Sequence, residues 1–210
     1  MKKTILPAIL ALFILSANSS VFSQDPHSLD RPNELYGGYG AFSVYYFTGN
    51  ISHDYQYADS YYYYSDENDP SSAGTFFLGY NRQVNKVISV GVVFSYMHTT
   101  NTLSGYYSYY DSVTSIGTTK DNLLSGLSKV NFTYMNKPFL KLYSGVAIGV
   151  TIDLNKATID GREYTDRKIM PAGQLTLFGI RAGKALGGFL EFGVGTNGIV
   201  TAGISYKIKD

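Results

Sequence analysis

Apolar and polar residues alternate with a period of two through most of the chain after residue 34, and helical periodicity is nearly absent there. Such alternation predicts β-strands whose two faces meet different surroundings. In residues 140–152 the even positions are mostly Leu, Val and Ile and the odd positions mostly small or polar, and residues 88–97 divide similarly. The pattern predicts eight strands, at 35–47, 73–83, 87–99, 121–135, 139–152, 169–182, 188–196 and 199–208.

The connections between these strands alternate in length. Long polar segments are predicted at 48–72, 100–120 and 153–168, whereas tight turns are predicted near Asn85, at 136–138 and at Leu186-Gly187. Asn197-Gly198 is a two-residue hairpin signal. Long loops at one rim and short turns at the other are typical of bacterial outer-membrane barrels. We therefore predict an all-β fold, an eight-stranded antiparallel up-and-down transmembrane β-barrel with both termini at the periplasmic rim.

The residue types on the two predicted faces indicate whether lipid or water surrounds the barrel. A soluble barrel, the alternative, would carry charged residues outside and large apolar ones inside. Here the polar face is mainly Gly, Ala, Ser and Thr, and the other face is mainly aliphatic and aromatic. This favours lipid outside, with Val146 facing it. Aromatic belts are expected at the two membrane interfaces, formed by Tyr36, Tyr80, Phe139 and Tyr206 at the periplasmic rim and by Tyr46, Phe76 and Tyr96 at the other.

The N-terminus predicts export. Lys2 and Lys3 precede an apolar run at 5–15, and small residues surround a cleavage position after Ser23. This order is typical of a secretory signal peptide, and a buried N-terminal helix is the alternative. We predict a signal peptide at 1–23, an N-terminal periplasmic lead at 24–34 and an outer-membrane β-barrel domain at 35–210, in the bacterial cell outer membrane. No later stretch reaches the ~20 apolar residues of a membrane helix.

Composition narrows the chemistry. The formal net charge is +1, which gives no field for nucleic acid. There are 0 Cys, so disulfides, thiol nucleophiles and thiolate zinc sites are excluded. The chain has 22 Gly, 20 Tyr and 12 Phe, which suits curved sheets and interfacial belts.

Five charged residues fall on the face predicted to line the lumen: Lys129, Lys141, Arg181, Glu191 and Lys207. Counting from a turn centred near Leu186 places Arg181 directly across from Glu191, so we predict that these two form a buried ion pair. The assignment leaves Leu175 and Leu177 facing inward unless a bulge intervenes. Glu191 is the only carboxylate predicted inside, where it would be shared by neighbouring cations. A sealed polar interior is expected, with a narrow ion pore as the alternative.

The first two long loops are rich in tyrosine, a residue that offers large amphipathic contact area. We predict that they bind an extracellular protein or glycan through Tyr61, Tyr62, Tyr63, Tyr64, Tyr106, Tyr107, Tyr109 and Tyr110. The first loop also holds several Asp residues, but their spacing does not fit a calcium loop. No metal site is therefore predicted.

Two motifs raise other functions. Residues 193–198 match the G-x-G-x-x-G spacing, but a strand follows rather than a helix, so no cofactor is expected. His98 stands at the depth where a lipid A-modifying, deacylase-like enzyme would have its base, but it leads only to Thr99 and Thr100 and lacks a His-x-Ser pattern. We expect a structural or surface-interaction protein that is not an enzyme, with the lipid A-modifying enzyme as an alternative.

Two stretches carry a family resemblance. Residues 142–149 and the tail at 179–184, 191–193 and 203–207 resemble the small OmpA/OmpX-like outer-membrane β-barrel family of Bacteroidetes-type bacteria. The resemblance implies outer-membrane lipid and lipopolysaccharide as surroundings, the barrel insertion machinery as a partner, and a monomer. Barrels of this family commonly end on an aromatic residue, whereas this chain ends Ile208-Lys209-Asp210. Tyr206 is then the aromatic residue nearest to the end.

Overall fold

The computed structural model describes residues 32–47, 62–66, 71–107, 112–159 and 161–209. Within them lie one short helix and nine strands. The helix is α1 (Val44–Phe47), and the strands are β1 (Asn33–Ala41), β2 (Tyr62–Asp66), β3 (Ser71–Gln83), β4 (Ile88–Tyr107), β5 (Ser112–Asn136), β6 (Leu140–Ile159), β7 (Arg162–Gly183), β8 (Leu186–Gly195) and β9 (Val200–Ile208). The predicted all-β class is confirmed.

Eight of these strands form one ring-like antiparallel sheet, because β4 pairs with β5 as well as with β3. The order round the ring is β4-β3-β1-β9-β8-β7-β6-β5, and β2 adds to the outer part of β4. Each strand of the ring pairs with the ring strand that follows it in the chain, and β1 pairs with the last strand, β9, as well as with β3. We call the end that carries Asn33, Ile208 and the turns at 84–87, 137–139 and 184–185 the terminal rim, and the opposite end the far rim.

The ring is much taller on one side, and this corrects two predicted loops. β4, β5, β6 and β7 are 20 to 25 residues long, against 9 or 10 for β1, β8 and β9. Most of 100–120 and 153–168 is therefore strand rather than loop. These segments carry polar residues on both faces, so the alternation disappears, but Thr, Tyr and Ile there still favour extended backbone. We call 100–107, 112–120, 153–159 and 162–168 the extension.

Two further boundaries differ from prediction. β1 ends at Ala41 rather than at 47, because Phe42 takes a positive φ of 58° and the chain then turns into α1. The turn predicted at Leu186-Gly187 lies earlier, at 184–185, and both of those residues belong to β8. Gly183, with φ 127°, supplies the backbone conformation that this turn requires.

The alternation of the sequence becomes an inside and an outside. On β6 Ala147 and Thr151 are buried, whereas Val146 and Ile148 are exposed, Ile148 by 70%. On β4 Ser89, Val93 and Ser95 are buried, and Phe94 and Tyr96 are exposed. The predicted division of these two strands is confirmed, with the mainly apolar face outward.

Candidate functional site

Glu191 is the centre of a buried polar network inside the ring. Its Oε1 lies 2.8 Å from Lys129 Nζ on β5 and accepts a 2.8 Å hydrogen bond from the Tyr143 hydroxyl on β6. Its Oε2 accepts weaker bonds from Thr176 and Thr201, at 3.5 and 3.4 Å. Side chains from β5, β6, β7 and β9 therefore converge on one carboxylate of β8, and this network links five consecutive strands of the ring through its interior.

The predicted pair between Arg181 and Glu191 is wrong. Arg181 Nε lies 2.7 Å from Glu34 Oε1, and its other nitrogens donate to the carbonyls of Gly183, Lys184 and Ala185. The cause is register: Arg181 stands opposite Phe189, and Gly179 stands opposite Glu191. A bulge between Thr176 and Phe178 lets Arg181 point inward while Leu175 and Leu177 stay exposed.

Glu34 is a second interior carboxylate that sequence analysis missed, because it was assigned to the lead before the barrel. It belongs to β1 and is buried, and its Oε2 lies 4.0 Å from Lys141 Nζ. Asp121 and Asp153 are also buried, so the expectation of a single interior carboxylate is wrong as well. Lys207, the fifth predicted lumen residue, is half-buried close to the terminal rim end of β9.

An aromatic layer crosses the middle of the ring. The rings of Tyr36, Phe77 and Phe189 lie with centroids 6.0 to 6.3 Å apart, packed with Val93, Leu127 and Ala147. Tyr36 is thus an interior residue and not part of an interfacial belt as predicted. The contact between Tyr36 and Phe189 is edge-to-face, a geometry that adds to the stability given by burial.

Polar residues fill the interior on the far side of this layer. The hydroxyls of Ser125 and Thr151 lie 2.6 Å apart, and Tyr45 of α1 reaches in to donate to Thr151 at 2.9 Å. Asn155 donates to Asp121 nearby. On the terminal side, a cavity beside Glu34 and Lys141 offers about 10 Å³ of space for the centre of a water molecule. That is room for about one water molecule.

The outer surface is apolar on every strand of the ring. Each contributes at least two exposed large apolar residues: Leu35 and Tyr39, Phe76 and Leu78, Phe94 and Tyr96, Leu124 and Phe132, Val146 and Ile148, Leu175 and Leu177, Phe192 and Val194, and Ile204 and Tyr206. Phe139 is also exposed, as its predicted belt position requires, and Tyr80 is half-buried. We call this surface the apolar belt. It far exceeds the few hundred Å² of apolar patch usual for a soluble monomer.

Five of the tyrosines predicted to bind a partner have a described backbone, and all five lie at the end of the extension farthest from the ring. The backbone of β2 places Tyr62 opposite Tyr107 and Tyr63 opposite Tyr106, and Tyr64 opposite Gly105. Tyr61, Tyr109 and Tyr110 lie outside the described residues, as does the side chain of Tyr46. Two segments far apart in sequence are therefore joined in one ladder.

His98 lies on the outer face between a hydroxyl and an amide. Its Nδ1 is 3.0 Å from Asn122 Oδ1, and its Nε2 is 3.3 Å from Thr100 Oγ1. Because the Asn122 oxygen can only accept, Nδ1 carries the proton and Thr100 donates to Nε2. Tyr96 also donates to Asn122 Oδ1, at 2.9 Å. Thr100, His98 and Asn122 thus have the order of a nucleophile, a base and an orienting group, and the orienting group is an amide rather than a carboxylate.

The described part of the chain contains no group of three or more His, Cys, Asp or Glu side chains that could hold a metal ion. No helix among the described residues is both long enough and apolar enough to cross a membrane. No protein-family model matches the sequence, and no curated protein and no solved structure is similar to it.

Proposed function

We propose that this chain is an outer-membrane β-barrel that crosses the bilayer with eight strands and presents its extension at the cell surface. The observation that carries the proposal is the apolar belt, which surrounds an interior of buried polar and charged side chains. A soluble barrel has the opposite arrangement. A closed ring of strands is also the form in which β-structure can lie in lipid, because pairing between neighbouring strands satisfies the backbone polar groups of the wall.

Strand length supports the same proposal. A tilted strand needs about 9–11 residues to cross a bilayer, and β1, β8 and β9 have 9, 10 and 9. The additional residues of β4 to β7 are then outside the membrane. At about 3.3 Å per residue, ten more residues extend a strand by roughly 30 Å. The predicted signal peptide, in residues outside those described, supports export.

The extension is the proposed interaction part of the molecule, mounted on a rigid ring. The edge of β7 from Arg162 to Ala172, most of which lies in the extension, pairs with β6 only. It carries Arg162, Glu163, Asp166, Arg167, Lys168 and Pro171, the residue types that keep free strand edges from pairing with other chains. We infer that an extracellular protein or glycan is bound through side chains of the Tyr-rich ladder rather than by added strand pairing.

The test uses the full chain refolded into vesicles. Folded outer-membrane barrels migrate differently on gels with and without heating, and protease should remove only parts outside the bilayer. We expect a protected fragment set covering the terminal rim and the ring, with cleavage confined to the extension. A chain that stays monodisperse in buffer without detergent would contradict the proposal.

The order Thr100, His98 and Asn122 supports a second candidate, hydrolysis of acyl esters in a membrane lipid. In this candidate His98 takes the proton of Thr100 as the Thr100 oxygen attacks the ester carbonyl, and then gives it to the alcohol that leaves. Water next hydrolyses the acyl-threonine to release the fatty acid, and Asn122 holds the His98 ring in the required tautomer. The test is fatty acid release from lipid A and phospholipid vesicles by the refolded chain, its Thr100→Ala variant and a Thr158→Ala control on the same outer face. No release by the unaltered chain eliminates this candidate. A narrow ion pore is not supported, since the aromatic layer fills the middle of the ring.

A further inference from the structure

Three cations stand together on the outer face of the extension, immediately beyond the apolar belt. Lys120 on β5, Lys156 on β6 and Arg167 on β7 are all exposed and all point outward. Below them, toward the terminal rim, the outward positions of β4 to β7 carry no charged residue as far as the turns. These cations are therefore the first charges that a lipid molecule lying against this side of the ring would meet at the far rim.

Strand register brings the three side chains close together. Lys120 stands directly opposite Lys156, and Arg167, opposite Leu154, is diagonal to Lys156. Directly opposed residues have Cβ atoms about 4.5–5.5 Å apart, and diagonal neighbours are within reach of long side chains. Two like charges directly opposite each other destabilise an antiparallel pair. An anion between them would remove that repulsion.

The carboxylates at the same height point the other way. Asp121 and Asp153 are neighbours in sequence of the outward residues Lys120 and Leu154, and both are buried inside the ring. Asp166 stands opposite the buried Asn155 and so belongs to the inward face. The outward acid nearest to the three cations is Glu163, which stands opposite Thr158 and is, like Arg167, diagonal to Lys156. Alternation therefore places three cations and one acid on this outer surface, and the acid, Glu163, lies on the side of Lys156 away from the apolar belt.

The belt directly below completes the site. The row of the belt that lies nearest to the far rim on this side holds Tyr96, Leu124, Ile152 and Ile169 side by side. On β6, outward residues from Leu142 to Ile152 span 11 positions, which at a tilt of about 45° is roughly 25 Å, the height of the apolar band of such barrels. An apolar surface of that height ending in cations is complementary to an acyl lipid with an anionic head.

We propose that Lys120, Lys156 and Arg167 bind the phosphate groups of a phosphorylated glycolipid of the outer leaflet, whose acyl chains lie along the belt below. The inference rests on the proposed outer-membrane function and adds to it a defined lipid site. Arg167 can hold a phosphate with two parallel hydrogen bonds, and the two lysines act as point charges. The height of the cations fixes the leaflet, because the termini and short turns are at the other rim.

The experiment measures retention of diphosphorylated lipid A by the refolded full chain in zwitterionic detergent, using native mass spectrometry. The test variant replaces Lys120, Lys156 and Arg167 with Gln. The matched control replaces Lys86, Lys137 and Lys184, three exposed lysines of the terminal rim, with Gln and changes the net charge equally. We expect the test variant to bind at least tenfold more weakly and the control to bind like the unaltered chain. Lipid A without its phosphates should bind the unaltered chain as weakly as the intact lipid binds the test variant.

Other outcomes overturn the proposal in distinguishable ways. If both variants and the unaltered chain bind equally, the three cations are not the site. If millimolar inorganic phosphate displaces the lipid completely, or binds as strongly alone, the ligand is free phosphate and the lipid assignment fails. The folding of every sample is checked separately by comparing its gel migration with and without heating. An unaltered chain that does not insert into vesicles contradicts the proposed function, whereas normal insertion with unchanged lipid binding contradicts only this inference.

Discussion

Lys129 on β5 and Glu191 on β8 form a 2.8 Å ion pair inside the ring, although 62 residues separate them in sequence. Both side chains are buried, and Lys129 also lies 5.3 Å from the centre of the Tyr36 ring. Two charges removed from water stabilise a fold only when their partners are all present. The ion pair therefore stabilises the ring only while β5 and β8 keep the register that brings the two side chains together.

Breaking this pair from one side should be costly. We expect Lys129→Met and Glu191→Gln each to lower the free energy of unfolding by about 3–5 kcal/mol, because each leaves a buried group without its partner. The double variant should lose much less than the sum. Urea unfolding in detergent micelles measures all three, with Lys86→Met at the exposed terminal rim as the control. Additive losses would show that the two residues do not interact.

The outward face of β6 provides a test of lipid exposure. We expect Ile148→Arg to make insertion into bilayers less favourable by about 2–4 kcal/mol, since Ile148 lies near the middle of the apolar belt. Thr158→Arg, outward on the same strand but in the extension, should cost less than about 1 kcal/mol. Equal effects at the two positions in vesicle refolding would mean that the belt does not face lipid.

Strand alternation made the faces of 88–97 on β4 and 140–152 on β6 predictable, because the Val, Ile and Leu residues there, apart from Val93, occur on one side of the strand. It could not predict the extension, whose Thr, Ser, Tyr and Lys residues are polar on both faces. Nor could it predict the partner of Arg181. That contact depends on one bulge and on a turn centred one residue earlier than expected, and a shift of this size moves every opposed pair by two positions.

Glycine was the signal that could have identified the interior aromatics. Tyr36 stands opposite Gly79, Tyr143 opposite Gly179, and Phe189 opposite Gly203. Each glycine leaves room for the ring on the neighbouring strand. A Gly facing an aromatic residue across a predicted hairpin therefore indicates an inward ring, which an inspection of single strands does not reveal.

Gly179 tests this relationship. A Cβ at Gly179 would lie 2.6 Å from two carbon atoms of the Tyr143 ring, so Gly179→Ala must displace the ring that donates to Glu191. We expect a loss of about 1–3 kcal/mol in the free energy of unfolding. Gly188→Ala, where the nearest atom is 3.8 Å away, is the control and should change little. In a Tyr143→Ala background the cost of Gly179→Ala should largely disappear; a cost that persists there would place its origin elsewhere.

The last prediction separates the ring from its extension. Thr102 stands opposite Thr118, so residues 103–117 can be replaced by an Asn-Gly turn that closes the β4–β5 hairpin below the Tyr-rich ladder. The ring pairs of β4, which reach Thr100 opposite Ser71, are left intact. We expect the shortened chain to show the same heat-dependent gel shift and a free energy of unfolding within about 1 kcal/mol, because shorter loops cost little entropy. Cells that display it should lose binding to extracellular matrix proteins and glycans. The matched control replaces 157–164 with the same Asn-Gly turn between Lys156 and Thr165, which are also directly opposed. That variant shortens the extension but keeps the ladder, so it should bind like the unaltered chain. Failure of the first variant to fold would mean that the extension is part of the structural ring, and equal binding by both variants would remove the ladder from the interaction.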